Sequence, residues 1–182
     1  HRAARLVRDR ADTDSDRCLA ARKARRTGHR ARRELPDHRP ESRGGACSAQ
    51  VIISDEEINY PRLIEPELLV AMSQEAYAKY IGELAGGGLL IIDEDMVELN
   101  NHRDDIDIRA IPATRIAERE LGRKIVANIV MLGFVAANSD AVSEAGLREA
   151  ILSSIPKGTE ALNTQAFERG FEYGTDAGRN SG

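Results

Sequence analysis

Tryptophan is absent from these 182 residues, cysteine occurs twice, and only seven side chains are aromatic. Each scarcity removes a class of function. Cys18 and Cys47 are too few for an iron-sulfur cluster, which takes about four thiolates. They have no paired spacing, so neither a CxxC zinc site nor a disulfide framework is available to them. With no signal-like apolar stretch in the chain, a reduced, cytoplasmic setting is expected. The longest nearly continuous apolar run, Ile125 to Ala137, has 13 residues and carries Asn128. A membrane span needs about 20, so this run predicts a buried helix. Also missing are HExxH, GxSxG, Walker A and GxGxxG patterns, and with them the usual zinc-protease, hydrolase and nucleotide-loop chemistries.

What is present is unevenly distributed. Residues 1–43 hold 13 Arg, 1 Lys and 7 acids, a net charge of +7, whereas residues 44–182 hold 12 basic and 23 acidic side chains, a net charge of -11. All the aromatics, Tyr60 to Tyr173, belong to the second part, and a core is expected only there. Residues 1–39 have charge without period and few branched aliphatics, so they bury too little to offset their ordering entropy. A disordered segment is expected. It is read as out-of-frame translation of a GC-rich gene, since Arg, Ala, Asp and His are in excess and the chain opens on His1; a solvated tail and a basic arm for nucleic acid are the other two readings. The domain proper is expected over residues 40–182.

In that part the periodicity predicts an α/β pattern. Gln50 to Ser54 is a short β-branched strand followed by an acidic turn, Asp55 to Glu57. Leu68 to Met72 and Leu89 to Ile92 are strands apolar on both sides, as in parallel sheets covered on both faces. Between them Ala76, Tyr77, Tyr80, Ile81 and Leu84 recur at helical spacing, with Ser73 as N-cap and Gly86 to Gly88 as the stop. Ile106 to Ile111 alternates more and is placed nearer an edge. Helices follow over Thr114 to Leu121, over the apolar run, over Ser143 to Ser154 and over Thr159 to Tyr173. A helix apolar all round is central or stands against another subunit. The fold class is therefore α/β: a three-layer Rossmann-like domain with a mainly parallel sheet and a helical C-terminal end.

Few residues suggest chemistry. Asp93, Glu94 and Asp95 close a strand and could hold Mg²⁺ with a phosphate, but three successive acids point in different directions and a solvated loop is the preferred reading. His102 lies in a polar loop and is read as solvated. Asn128 is read as a satisfied amide in a core or an interface rather than as a ligand. No catalytic residue and no metal site is expected on this chain.

Pro40-Glu41-Ser42-Arg43-Gly44-Gly45, leading into "VIISDEEINYP", resembles the gamma subunit of 2-oxoacid:ferredoxin oxidoreductases, the 2-oxoglutarate type in particular. Those subunits carry a Tyr-Gly-Pro-Glu-x-Arg-Gly-Gly motif before such a strand. "LVAMSQEAYAKY" and "NTQAFERGFEYG" are similar to later family segments, so the resemblance runs over about 135 residues, Pro40 to Gly174. It breaks off upstream: His38-Arg39 stand where the family has Tyr-Gly, and the family's first strand and glycine-rich loop are not visible in residues 1–39. The first strand of a doubly wound sheet is usually central, and losing it is comparable with a domain's net stability of about 5–15 kcal/mol. An isolated chain without it is expected to be molten or aggregating, with an open strand edge.

The resemblance implies a share in the CoA-dependent oxidative decarboxylation of a 2-oxoacid to an acyl-CoA, with electrons passed to ferredoxin. It implies that this chain binds no cofactor, and that thiamine diphosphate, Mg²⁺ and 4Fe-4S clusters sit on alpha, beta and delta or ferredoxin-like partner subunits. For Pro40, Glu41, Ser42, Arg43, Gly44 and Gly45 two expectations stand side by side: contact with a coenzyme A phosphate or a partner's carboxylate through backbone N–H groups and the guanidinium, or a tight loop needing bare backbone. Other family branches take pyruvate, branched-chain oxoacids or indolepyruvate. The alternative from a different class is a non-enzymatic α/β interaction module with a nucleic-acid-binding arm, which a body at -11 opposes.

Overall fold

The computed structural model describes residues 2–8, 31–36, 47–54, 65–100 and 103–179; the acidic turn at Asp55, Pro40 to Gly45 and His102 lie outside them. Six strands form one sheet: β1 (Arg2–Arg8), β2 (Ala31–Pro36), β3 (Cys47–Ser54), β4 (Leu68–Ala71), β5 (Leu89–Asp93) and β6 (Asp107–Ile111). Their order is β2-β3-β1-β4-β5-β6. At the centre β1, β4 and β5 run parallel, with Ala4 opposite Leu68 and Leu68 opposite Leu89. On the far side β3 runs antiparallel to β1, and β2 antiparallel to β3. The α/β class is as expected, a parallel centre extended by an antiparallel flank.

Two strands fall inside residues 1–39, where a segment without regular structure is expected. β1 takes the central position, hydrogen-bonded to β3 on one side and β4 on the other. The sheet thus has a strand where the family's first strand is expected to be missing. The physical reason lies in the backbone. Composition weighs what side chains can bury, whereas any non-proline segment carries the donors and acceptors that a ladder needs. By contacts the described residues fall into two compact units, one holding the strands and reaching Ala110, the other running on from Ile111.

In the sheet unit, β4 is buried at every position and β5 at all but its first residue, as strands covered on both faces should be. Helix α1 (Gln74–Tyr80) starts where the Ser73 hydroxyl accepts from the Ala76 N–H, and continues as a 3₁₀ turn, Ile81–Glu83. Its apolar stripe, Ala76, Tyr77, Tyr80, Ile81 and Leu84, packs with Leu69, Ala71, Leu90 and Ile92 into one core cluster. Gly87, at φ +74°, makes the turn before β5. β6 ends the sheet order, as its alternating pattern predicts.

The helical unit begins with α2, a helix at Ala113–Arg115 that widens into a π turn at Ile116–Glu120 and stops at Gly122, φ +67°. A 3₁₀ turn at Lys124–Val126 leads into α3 (Ala127–Asn138). α4 (Glu144–Leu152) is capped by Ser143, whose hydroxyl accepts from Gly146 N–H, and α5 (Glu160–Arg179) completes the unit. The apolar helix α3 finds its partner in α5. A Cβ on Gly133 would overlap the Phe167 carbonyl oxygen, and one on Gly170 the Val130 carbonyl oxygen. The two helices therefore meet backbone to backbone at reciprocal glycines, a closeness no larger residue permits. Phe134 lies against Tyr173 with ring centroids 6.0 Å apart, in the range of attractive tilted pairs.

Gly170→Ala should therefore cost about 3 kcal/mol or more, because a backbone carbonyl cannot swing aside as a side-chain tip can. Gly82→Ala, where an added Cβ meets nothing within 4 Å, should leave stability unchanged or raise it by up to about 1 kcal/mol. Thermal melts followed by circular dichroism check both; equal midpoints for the two variants would refute the crossing as described.

Candidate functional site

Ligands of open α/β sheets bind beyond the carboxyl ends of parallel strands, so the end of β5 comes first. Asp93 closes it with no exposed surface. Its Oδ1 accepts from Asp95 N–H at 3.2 Å, and its carbonyl accepts from Met96 and Val97 N–H. The expectation of a solvated acidic loop is thus corrected for Asp93, whose carboxylate is buried while organising the turn; Glu94 and Asp95 are exposed. Beside it Gln74 exchanges two hydrogen bonds with the backbone of Glu98. Among the described residues no group of three His, Cys, Asp or Glu side chains is arranged to hold a metal ion.

Arg103 in the same unit could serve an anion, but it is engaged. Its guanidinium grips Asp105 through Nε at 2.9 Å and through Nη2, while Nη1 donates to the carbonyls of Ile81 and Leu84. Ile81 opens the 3₁₀ turn after α1 and Leu84 follows its last residue, so Arg103 caps the C-terminal end of that helical segment. The hydrogen bond from Arg103 holds the Asp105 carboxyl below its usual range, and the same bond raises the guanidinium.

In the helical unit a cleft of about 280 Å³ opens at the head of α3, walled by the end of α4 and the start of α5. Ile129, Ile151 and Leu162 line it with hydrocarbon, and Arg123 stands among its lining residues. Two arginines elsewhere in the unit tie its helices together. Arg148 of α4 bonds Glu168 of α5 at 2.8 Å and Glu144 at 3.1 Å, and lies over the Phe167 ring. Arg169 of α5 bonds Glu120 of α2 through two nitrogens and Glu172 through a third. In each case the hydrogen bonds to glutamate raise the guanidinium pKa.

The cleft's own polar groups are unevenly satisfied. Ser154 Oγ donates to the Ala150 carbonyl at 2.7 Å, Thr159 Oγ1 to Pro156 at 2.7 Å, and buried Asn163 Nδ2 to Thr159 at 2.8 Å. Asn128 differs. Its Oδ1 is buried and meets no donor among the described residues. Sequence reasoning singled out Asn128 as polar within an apolar run but had no signal for the cleft, which gathers residues from α3, α4 and α5. The six residues Pro40 to Gly45 lie outside the described residues.

The family described as pyruvate ferredoxin/flavodoxin oxidoreductase matches residues 17–173. That match reaches back past Pro40, where the visible resemblance begins. The chain is 46% identical over 134 residues to the 2-oxoglutarate synthase subunit KorC of Methanocaldococcus jannaschii, covering 73% of this chain and 72% of that one. Among solved structures it superposes on the gamma subunit of a keto/oxoacid ferredoxin oxidoreductase from Geobacter sulfurreducens PCA with a TM-score of 0.78 and 30% identity, over 97% of this chain and 99% of that one. It shares its fold, TM-score 0.76 at 19% identity, with 31% of a 2-oxoglutarate:ferredoxin oxidoreductase chain from Magnetococcus marinus that was solved with 2-oxoglutarate, coenzyme A and succinyl-CoA bound.

The Arg103 cap gives a signed pH dependence. Because the folded carboxyl of Asp105 sits below its unfolded value, the pair stabilises at neutral pH and its contribution disappears as pH falls through the acidic range below the ordinary carboxylate value. The urea midpoint of Asp105→Asn should lie below wild type at pH 7 and converge on it in strong acid. Arg103→Leu, which also strips two carbonyls, should remain below wild type at both.

Proposed function

The chain belongs to the pyruvate ferredoxin/flavodoxin oxidoreductase family, and from that membership we propose that it is the gamma-type subunit of a 2-oxoglutarate:ferredoxin oxidoreductase. The complex would convert 2-oxoglutarate and coenzyme A to succinyl-CoA and CO₂, passing two electrons to two oxidised ferredoxins. The observation that carries this reading is the identity of 46% to a 2-oxoglutarate synthase subunit over nearly three quarters of both chains. Superposition on a gamma subunit along almost the whole of both chains supports it.

Within such a complex this chain contributes scaffold and contact surface rather than redox chemistry. Its two cysteines are too few to ligate a 4Fe-4S cluster. Thiamine diphosphate, Mg²⁺ and the clusters belong to alpha, beta and delta or ferredoxin-like partners, in a reducing cytoplasm. Residues 40–182 are the gamma-type part of the chain. Pro40 to Ser42 lead into Arg43, Gly44 and Gly45, which meet a coenzyme A phosphate or a partner carboxylate, a guanidinium beside bare backbone being suited to either. Asn128 belongs to an interface.

The test is reconstitution. Coexpressed with thiamine-dependent alpha and beta subunits, the chain should copurify, and the complex should reduce ferredoxin only with both 2-oxoglutarate and coenzyme A present. Omitting this chain should lower that rate at least about tenfold. Pyruvate or a branched-chain oxoacid outperforming 2-oxoglutarate would overturn the substrate assignment, and failure to copurify would overturn the subunit assignment. An Arg43→Ala complex should assemble normally with a raised KM for coenzyme A if the phosphate is the partner, and assemble poorly if the carboxylate is.

A further inference from the structure

A buried carbonyl oxygen without a donor gives up the hydrogen bond it had with water, and native chains keep few of them. Asn128 Oδ1 is one, at the edge of a cleft whose other side-chain donors, on Ser154, Thr159 and Asn163, already serve backbone carbonyls. What the wall lacks is an N–H from outside.

The mouth adds a second requirement. Arg123 lines it, and Lys124 and Lys157 sit next in sequence to the lining residues Ile125 and Gly158. All three are exposed, and none has an ion pair among the described residues, whereas Arg103, Arg148 and Arg169 are each clamped to carboxylates. Three unclaimed cations on a chain whose residues 44–182 carry -11 call for a negative occupant. Beside Lys124 the lining residue Ile125 is 38% exposed. An apolar floor inside a charged rim is the anatomy of a subunit contact. At about 280 Å³ the space lies just below the range of about 300–1,000 Å³ for small-molecule sites and suits a few side chains.

We propose that this cleft receives a carboxylate-bearing segment of another subunit of the same assembly, which pairs with Arg123 at the mouth and supplies an N–H to Asn128 Oδ1. The proposal rests on the gamma-subunit reading above.

Binding of the purified alpha and beta subunits to the immobilised chain tests it, with wild type, Arg123→Glu, Lys157→Glu and Asn128→Leu compared at low and high salt. Arg123→Glu should weaken binding about tenfold and flatten its salt dependence, and Lys157→Glu should do so less. Asn128→Leu should also weaken binding about tenfold while leaving the melting temperature of the isolated chain unchanged or raised. A merely structural asparagine would not separate those readouts. A photo-crosslinker at exposed Ile125 should form its adduct within an acidic stretch of a partner subunit. Wild-type binding with Arg123→Glu and Asn128→Leu both within twofold of it would overturn the docking site and leave the gamma-subunit reading intact. An adduct on a second copy of this chain would do the same. Absence of wild-type binding would overturn both.

Discussion

The helical unit depends on the backbone contact between α3 and α5. Gly133 admits the Phe167 carbonyl and Gly170 admits the Val130 carbonyl, so each helix supplies both a gap and the group that fills the other's gap. Side chains elsewhere follow from that closeness. Ile129 and Leu162 can share a cleft, and Phe134 can reach Tyr173, because the axes between them have no room to drift. One turn later Gly174 leaves room for side chains instead, since a Cβ there would meet those of Ala137 and Asn138. The contact also resolves the question that an all-round apolar helix poses. Much of α3 is buried within its own chain, against a helix whose small residues let it come close, while Asn128, Leu132 and Ala136 to Asn138 are half-buried.

Charge then fixes what packing brings near. Arg148 and Arg169 each bind two glutamates, one on their own helix and one distant in sequence for Arg169, or one on each of two helices for Arg148. Exposed pairs of this kind contribute little singly. Arg148 also covers the Phe167 ring, so its stem and guanidinium shield apolar surface as well as pairing with carboxylates. Arg148 thus ties α4 to α5, and Arg169 ties α5 to α2.

Much of this was legible from residue order alone, for identifiable reasons. The stripe from Ala76 to Leu84, the cap at Ser73 and the glycine turn before β5 are local rules satisfied locally, and β6 announces its edge position through alternation. β1 was not legible because pairing draws on backbone groups that every sequence has, and because its two ladder neighbours begin some forty and sixty residues downstream. Asp93 misled for a related reason: three acids in a row predict water, yet the first of them turns inward to accept a backbone N–H two residues on. Of the candidate residues, Asn128 stood out by being polar in an apolar run. That it lacks a partner needed the positions of three helices. Gly133 and Gly170 looked like ordinary small residues, since a close crossing leaves no mark on periodicity.

The two units handle polarity differently. In the sheet unit, polar groups near the strand ends are closed on themselves: Ser73 on the first turn of α1, Asp93 on its own turn, Gln74 on Glu98 and Arg103 on Asp105 with two carbonyls. A ligand there would have to displace an existing bond, and the bond it formed would be offset by the one it broke. At the head of α3 the terms differ, since an occupant offering an N–H and a carboxylate would add contacts without breaking any that the described residues make. For a chain whose family works as subunits of a larger oxidoreductase, a surface that remains incomplete until another chain arrives is a more informative feature than a catalytic group would be. Binding there is favoured by the same free energy that the isolated chain forgoes by leaving Asn128 unsatisfied.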